Sequence, residues 1–318
     1  MSANKVSRFP YPFKSDTYRY SNNSVLLDPP ISIEVTPEYV DEIKLKRLLL
    51  QNHPNRCFQS LPHTLPAQWE IASLVLHHLH EAYPEHFDLD INGGSWTFRN
   101  HLLHEEHTFV YGDPSSLPYE PLDFVGRHVQ EDLILMGQRD GDLYLDAGQL
   151  CFPANWSLDF NLGMNFVAIH NPIPGFSDNN LDEKIRNFIM KLEAGQPWVR
   201  RNWSLNAGYR LDASLETFHE WGQVRKQVTA ENAGQLVYLR VEVQKLFRLP
   251  RSHFVLFTIH SHLITLEELS QNRDYIEQLY RVLVELPDFI AEYKGMKLFR
   301  PQTIQYLENV LKKERCTG

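Results

Sequence analysis

Thirty residues near the carboxy-terminal end constrain the fold most: "QLVYLRVEVQKLFRLP" followed closely by "HFVLFTIHSHLI". Apolar and polar side chains alternate through both runs, the period of an extended strand rather than of a helix. Pro250 interrupts them with residues suited to a loop, so the segment reads as one long antiparallel hairpin. Arg240, Glu242 and Gln244 then share one face of the first strand, opposite Leu239, Val241 and Val243. On the return strand Thr258, His260 and His262 form a polar row, opposite Val255, Phe257 and Ile259. The expectation is a hairpin with one apolar side and one polar, ionisable side. That polar side reads either as a solvated sheet face or, because it mixes Arg, Glu, Gln and His with few Lys or Ser, as the wall of a pocket for a charged ligand.

Other elements arrange themselves around this hairpin. "QEDLILMGQ" and "LYLDAGQLCF" flank "RDGD", where Asp140-Gly141 suits a tight hairpin turn. Between Trp156 and Gly195 the pattern is helical: Leu181, Ile185, Phe188, Ile189 and Leu192 form a stripe, and Asn180 with Glu183 resembles a capping pair. "PWVRRNWSLNAGYRL" reads as extended. Residues 126–265 thus run two strands, a helical excursion and three strands, the order of a PAS-like antiparallel sheet with crossing helices. The fold class expected is α+β.

Residues 1–35 read as an extended arm and 36–125 as a helical region. In the latter, Thr36 and Pro37 sit at a helix start and Trp69, Ala72, Leu76, Leu79 and Tyr83 form a stripe. Residues 266–318 read as helices packed on the same body, opened by the capping box Thr265 to Glu268, with Gly295 closing one helix and Pro301 opening the last.

Composition excludes several function classes. The formal charge of -9 is spread along 318 residues, so neither nucleic acid nor an anionic membrane is an expected partner. No apolar run approaches about eighteen residues and no charged-then-apolar leader opens the chain, which points to a cytoplasmic protein. Cys57, Cys151 and Cys316 are few, odd in number and far apart, against a disulfide framework or a Cys-only zinc site. Gly-rich phosphate loops, a Gly-x-Ser-x-Gly elbow and a Cys-x-x-Cys-His haem attachment are all missing from the sequence. In "HLLHEEHTF", His101, His104 and His107 stand three apart; on a helix this reads as a solvated polar face, with a metal site as the alternative.

"AIHNPIPGF" places His170 between an apolar run and two prolines. Pro172 disfavours helical geometry at Asn171, so the chain turns away directly after the imidazole. A ring fixed in this way suits a metal ligand, and equally a hydrogen-bonded structural histidine. Cys151 is the competing axial ligand for a haem iron, its bland reading being a small buried hydrophobe.

With those pieces in place, the chain resembles the haem-dependent oxidative N-demethylase family, whose haem subunit carries a PAS-like fold. The resemblance lies in "VQEDLILM", "LCFPANW", "IHNPIP", "VRRNW", "LRVEVQKLFRLP", "FTIHSHL" and "YKG", in that order, over roughly residues 65 to 296. It implies a non-covalent haem b, dioxygen activation at its iron, and oxidation of an N-methyl group on a small amine such as dimethylamine, with release of formaldehyde. It also implies a separate reductase carrying flavin and an iron–sulfur centre, and a tetrahydrofolate-dependent component that accepts formaldehyde; this chain has neither the cysteines nor the dinucleotide fingerprint for such centres.

By this resemblance His170 is the axial ligand, with Cys151 as alternative. Arg201, Arg240 and Arg248 would pair with the haem propionates. Strand parity adds Glu242 as the carboxylate that holds a substrate ammonium and His260 as a group that delivers protons to bound oxygen. Two positions depart from the family pattern: Asn161 and Leu162 stand where a basic residue commonly follows "CFPxxW", and Val243 replaces a more polar residue. The rival readings are a haem-PAS gas or redox sensor and a haem-free interaction protein of the same fold.

Overall fold

The structure is a computed structural model that describes residues 5–15, 17, 23–30, 33–172, 174 and 180–315. Residues 18–22 of the arm, Ile173, Gly175 and Phe176 of the His170 stretch, and Cys316 lie outside the described residues.

Ten strands are described: β1 (Val25–Leu26), β2 (Phe58–Ser60), β3 (Phe87–Asn92), β4 (Ser95–Asn100), β5 (Glu105–Val110), β6 (Asp132–Arg139), β7 (Asp142–Gln149), β8 (Trp198–Ala207), β9 (Val237–Arg248) and β10 (Val255–Thr265). Seven form an antiparallel sheet in the order β1-β8-β9-β10-β6-β7-β2, and β3-β4-β5 form a second, smaller sheet. The architecture is α+β. The expected order of two strands (β6, β7), helices (Leu158–Asn161, Phe166–His170, Leu181–Met190) and three strands (β8, β9, β10) is present. Asp140 and Gly141 turn the first hairpin with φ of 51° and 73°, the positive pair that a two-residue turn of this twist requires.

The long hairpin is present too, but its two polar rows do not share a side. Arg248 pairs with Val255, leaving six residues, 249 to 254, in the loop, so even-numbered residues of β9 face odd-numbered residues of β10. Glu242 is opposite Ser261, and His260 is opposite Val243. Directly paired residues project to the same face, which places Arg240, Glu242 and Gln244 on one face and His260 and His262 on the other.

Neither face is solvated. Over the Glu242 face lies the helical excursion, where Phe166, Ile185, Ile189 and Leu192 pack on Ile134, Leu246 and Ile259. The His260 face is covered at one end by the helices Tyr39–Asn52 and Leu65–Ala82, whose Ile43, Ile71 and Leu79 join a cluster with Leu133, Leu135 and Leu256. At its other end the helices Arg273–Glu285 and Arg300–Arg315 bring Leu279, Leu283 and Leu307 onto Leu239, Val241 and Ile264. Burial on both sides therefore turns the charged residues of this hairpin into interior groups: Arg240 is 0 % and His260 2 % exposed.

Three local expectations are corrected. The His-rich "HLLHEEHTF" is not helical: His104 has φ of 56°, and Glu105–Val110 is a strand with alternating burial. His101 instead pairs with Asp88 at 2.8 Å. Asn180 stands at the start of Leu181–Met190 with φ of 57° and makes no side-chain capping bond. The helix after Thr36 begins at Tyr39, Thr36 serving a preceding turn in which its hydroxyl accepts from the Glu38 N–H. The capping box at Thr265 and Glu268 forms in full. Among the described residues no helix is long and apolar enough to cross a membrane.

Candidate functional site

The central strands concentrate polar groups on the excursion-facing side of the sheet. Asn202 on β8 pairs with Glu242 on β9, and Arg200 with Gln244, so all four project toward the same layer. The Asn202 amide and the Gln244 amide both donate to Glu242 Oε2, at 3.3 and 2.9 Å. Glu242 Oε1 is buried with no hydrogen-bond partner among the described residues. Arg240 Nε lies 3.5 Å from it and is likewise without a hydrogen-bond partner among the described residues. A buried carboxylate oxygen with one lone-pair direction unsatisfied is costly to keep and is a receptor for a donor supplied from outside.

Lys294 enters this group from the segment after the helix Asp288–Tyr293. Its ammonium donates to the Trp203 carbonyl at 2.6 Å, approaches Asn202 Oδ1 at 3.5 Å and lies 4.9 Å from the Trp203 ring centre. Burial lowers its pKa to about 8, against the opposing pull of Glu242, with Arg200 adding to the lowering. Lys294 and Arg200 were not singled out from sequence, although both lie inside recognised pieces, "YKG" and "VRRNW". A lysine that meets Asn202 and Trp203 across some ninety residues of sequence leaves no periodic signal.

His170 ends the helix Phe166–His170, which Asn165 caps by accepting from the Ala168 N–H at 2.8 Å. Its Nδ1 donates to the Phe166 carbonyl at 2.8 Å, one turn back, which assigns the proton to Nδ1 and the lone pair to Nε2. Burial lowers its pKa to about 4, so the ring is neutral at physiological pH. The ring lies with its centre 4.2 Å from that of Phe166, tilted by 32°; Phe166 belongs to the cluster covering the Glu242 face, and the imidazole feels the charge of Arg200. His170 and Glu242 are thus brought to one layer by separate elements.

The other expected residues fall elsewhere or are already engaged. Arg240 donates to the carbonyls of Leu211 at 2.8 Å and Phe152 at 2.5 Å and to Ser261 Oγ at 2.8 Å. Arg248 caps the excursion, donating to the carbonyls of Ile189, Met190 and Leu192 and to that of His253. Both guanidinium groups hold backbone, and Arg240 in addition faces the Glu242 carboxylate. Arg201 pairs with Val243, so it projects to the His260 face and is exposed. Cys151 is fully buried and its thiol is pushed well above its usual pKa by burial, the wrong direction for a thiolate ligand. His260 lies behind the sheet, with Glu131 at 3.7 Å and Glu42 at 3.9 Å, and shares no side with Glu242.

Comparison with protein families gives a match over most of the chain. The model of the haem-dependent oxidative N-demethylase, alpha subunit-like family aligns with residues 26–304, a span that takes in every strand of both sheets except the first residue of β1. Its description names haem dependence, oxidative chemistry and one subunit of a larger system. On this match the chain belongs to the haem-dependent oxidative N-demethylase, alpha subunit-like family.

Proposed function

We propose that this chain is the haem-bearing subunit of a system that oxidatively demethylates a small methylated amine, such as dimethylamine, with release of formaldehyde. The haem would be b-type and non-covalent, lying between the helical excursion and the Glu242 face of the sheet. The observation that carries the reading is the pairing, in one layer, of a neutral His170 whose lone pair is on Nε2 with a buried carboxylate oxygen of Glu242 that lacks a donor. These residues fit the group: a neutral imidazole held by its other nitrogen is the ligating form, and the fringe of half-buried Trp156, Val167, Ile169, Phe188 and Trp198 is apolar surface that a macrocycle would cover. Haem, when bound, supplies dioxygen activation at its iron.

The chain's own groups divide the remaining work. His170 offers Nε2 to the iron. Arg200, whose charge reaches His170, is the cation we assign to a propionate in this layer, while Arg240, Arg248 and Lys294 all donate to carbonyls. Glu242 Oε1 accepts an N–H of the substrate ammonium, while Asn202 and Gln244 fix the other oxygen and so the orientation of the carboxylate. An anion poised for an ammonium favours an enzyme over a sensor of neutral diatomic gases. His260, behind the sheet, has no part in proton delivery here.

Around this core we also propose a PAS-like sheet, supported by the order of strands and helices. The rest of the scheme is a division into an arm (1–35), an amino-terminal region (36–125), the haem domain (126–265) and terminal helices (266–318), a cytoplasmic setting, a monooxygenase-type reaction, electrons from a separate flavin and iron–sulfur reductase, and a tetrahydrofolate-dependent formaldehyde acceptor. The test is aerobic incubation of haem-loaded protein with a reductant and dimethylamine, formaldehyde being assayed. Formaldehyde that requires protein, amine and reductant together is expected. Haem-loaded protein that produces none with any of a series of small methylated amines refutes the reading.

A further inference from the structure

Behind the sheet, on the side away from His170 and Glu242, lies a second polar site. Alternation along β10 puts His260 and His262 side by side, ring centres 4.1 Å apart, and the segment leading into Tyr39–Asn52 brings Glu34 over them. One donor atom from each of Glu34, His260 and His262 lies within 4.8 Å of the other two. We propose that these three residues bind a first-row divalent transition-metal ion, of which Zn²⁺ is the probe.

Four buried polar atoms in this region have no hydrogen-bond partner among the described residues: His260 Nδ1, His262 Nε2, Glu131 Oε2 and Thr258 Oγ1. Three of the side chains are almost wholly interior, His260 at 2 % and Glu131 and Thr258 at 0 % exposed. Native interiors leave only a few such atoms per 100 residues and each costs about 1–3 kcal/mol, so four gathered around one pair of histidines mark a place where a ligand belongs. The donor set selects the ligand. Two imidazoles and a carboxylate suit Zn²⁺, Fe²⁺ or Co²⁺ and not Ca²⁺ or Mg²⁺, which prefer oxygen donors throughout. Burial keeps both rings in the neutral form that binds metal, His260 with its pKa lowered to about 4 and His262 well below its ordinary value.

The surroundings support the ion. Glu131 stands 3.7 Å from His260 Nδ1 and Glu42 stands 3.9 Å from its Nε2, so whichever nitrogen takes the metal, a carboxylate is behind the other. Glu131 also accepts the Glu34 backbone N–H at 2.9 Å, and Lys245 holds Glu34 Oε1 at 2.9 Å, which leaves Oε2 for coordination. Glu34, Glu42 and Glu131 face the two histidines together with Lys245 and Lys46, and burial pushes the Glu42 and Glu131 carboxyls up to about 7, so a dication would draw both into the ionised form. With bonds of about 2.0–2.1 Å, a tetrahedral ion brings donors to roughly 3.3 Å from one another, so side-chain movement of about 1 Å completes the site. A pocket lined by Arg8, Thr36, Glu38, Glu42, Tyr209 and His262 gives the ion a way in from solvent.

The test is equilibrium dialysis of chelator-treated, haem-free protein against Zn²⁺, followed by metal analysis, so the result is independent of the haem reading. One tightly held equivalent is expected. His262→Asn, at a half-buried position that tolerates the change, should weaken binding by about 100-fold or more, and Glu131→Gln by about 10–100-fold. Each variant is checked for a wild-type far-ultraviolet circular dichroism spectrum. Glu105, His107 and His128 form another cluster of similar spacing, so His107→Ala is the control and should keep the equivalent. No retained Zn²⁺ in the wild type, or loss of the equivalent in His107→Ala with retention in folded His262→Asn, overturns the proposal.

Discussion

Replacing Arg240 by Met tests whether this buried arginine holds the fold or a haem propionate. The stem is nearly conserved, while four donor contacts vanish: those to the Leu211 and Phe152 carbonyls and Ser261 Oγ, and a longer one to the Arg210 carbonyl. A hydrogen bond from a charged donor contributes about 1.5–3 kcal/mol, and removing one member of a buried ion pair costs about 3–5 kcal/mol because the other charge is stranded. These contributions overlap, since Glu242 and the carbonyls share one guanidinium, so the expected loss is about 3–5 kcal/mol and not their sum. Urea unfolding followed by tryptophan fluorescence reads it as a lower midpoint at unchanged slope. The double variant Arg240→Met/Glu242→Leu should recover part of the loss, because it removes the stranded carboxylate along with its partner. Haem titration of Arg240→Met under conditions where it stays folded should match the wild type. A stability change below about 1 kcal/mol, together with haem affinity reduced about tenfold or more, would refute the structural role and restore Arg240 as a propionate anchor.

Other perturbations probe separate parts of the account. Glu242→Gln should leave the haem absorption spectrum in place and reduce kcat/KM for dimethylamine roughly 10- to 100-fold, the loss of one charge-assisted contact, as measured by formaldehyde release. Lys294 has a folded-state pKa depressed to about 8, so its burial stabilises the fold fully only above the unfolded value near 10.5 and that contribution is lost as pH falls through about 8. Thermal melts should therefore show the wild type gaining on Lys294→Met between pH 8 and 10; parallel curves would contradict the depressed pKa. Thr265→Ala removes the hydroxyl that accepts from the Glu268 N–H and should cost about 1 kcal/mol in urea unfolding without touching haem binding.

Strands and their turns were legible in the sequence because alternation and the Asp140-Gly141 pair are local signals. Which residues share a face was not. The parity of a hairpin is carried through its loop, and a six-residue connection sends Glu242 and His260 to opposite sides, where an odd-numbered one would have joined them. Charge pattern was equally ambiguous: an arginine row reads the same whether it clamps a propionate or caps carbonyls, and only in three dimensions do Phe152, Leu211 and the end of Leu181–Met190 come within reach of Arg240 and Arg248. The small sheet β3-β4-β5 was hidden by its histidines and by the turn at His104, which needs a left-handed residue that histidine supplies only occasionally. His170 stood out in the sequence through its prolines and motif, and the structure adds the contact of its Nδ1 with the Phe166 carbonyl.

The most direct measurement is an absorption titration of haem into the wild type and His170→Ala, each verified as folded. The account predicts one equivalent of haem and a sharp Soret band for the wild type, and for His170→Ala either a shifted band or affinity at least about tenfold weaker, as expected when an axial ligand is lost. Superimposable titrations and spectra for the two proteins would contradict it, and would move the haem away from His170.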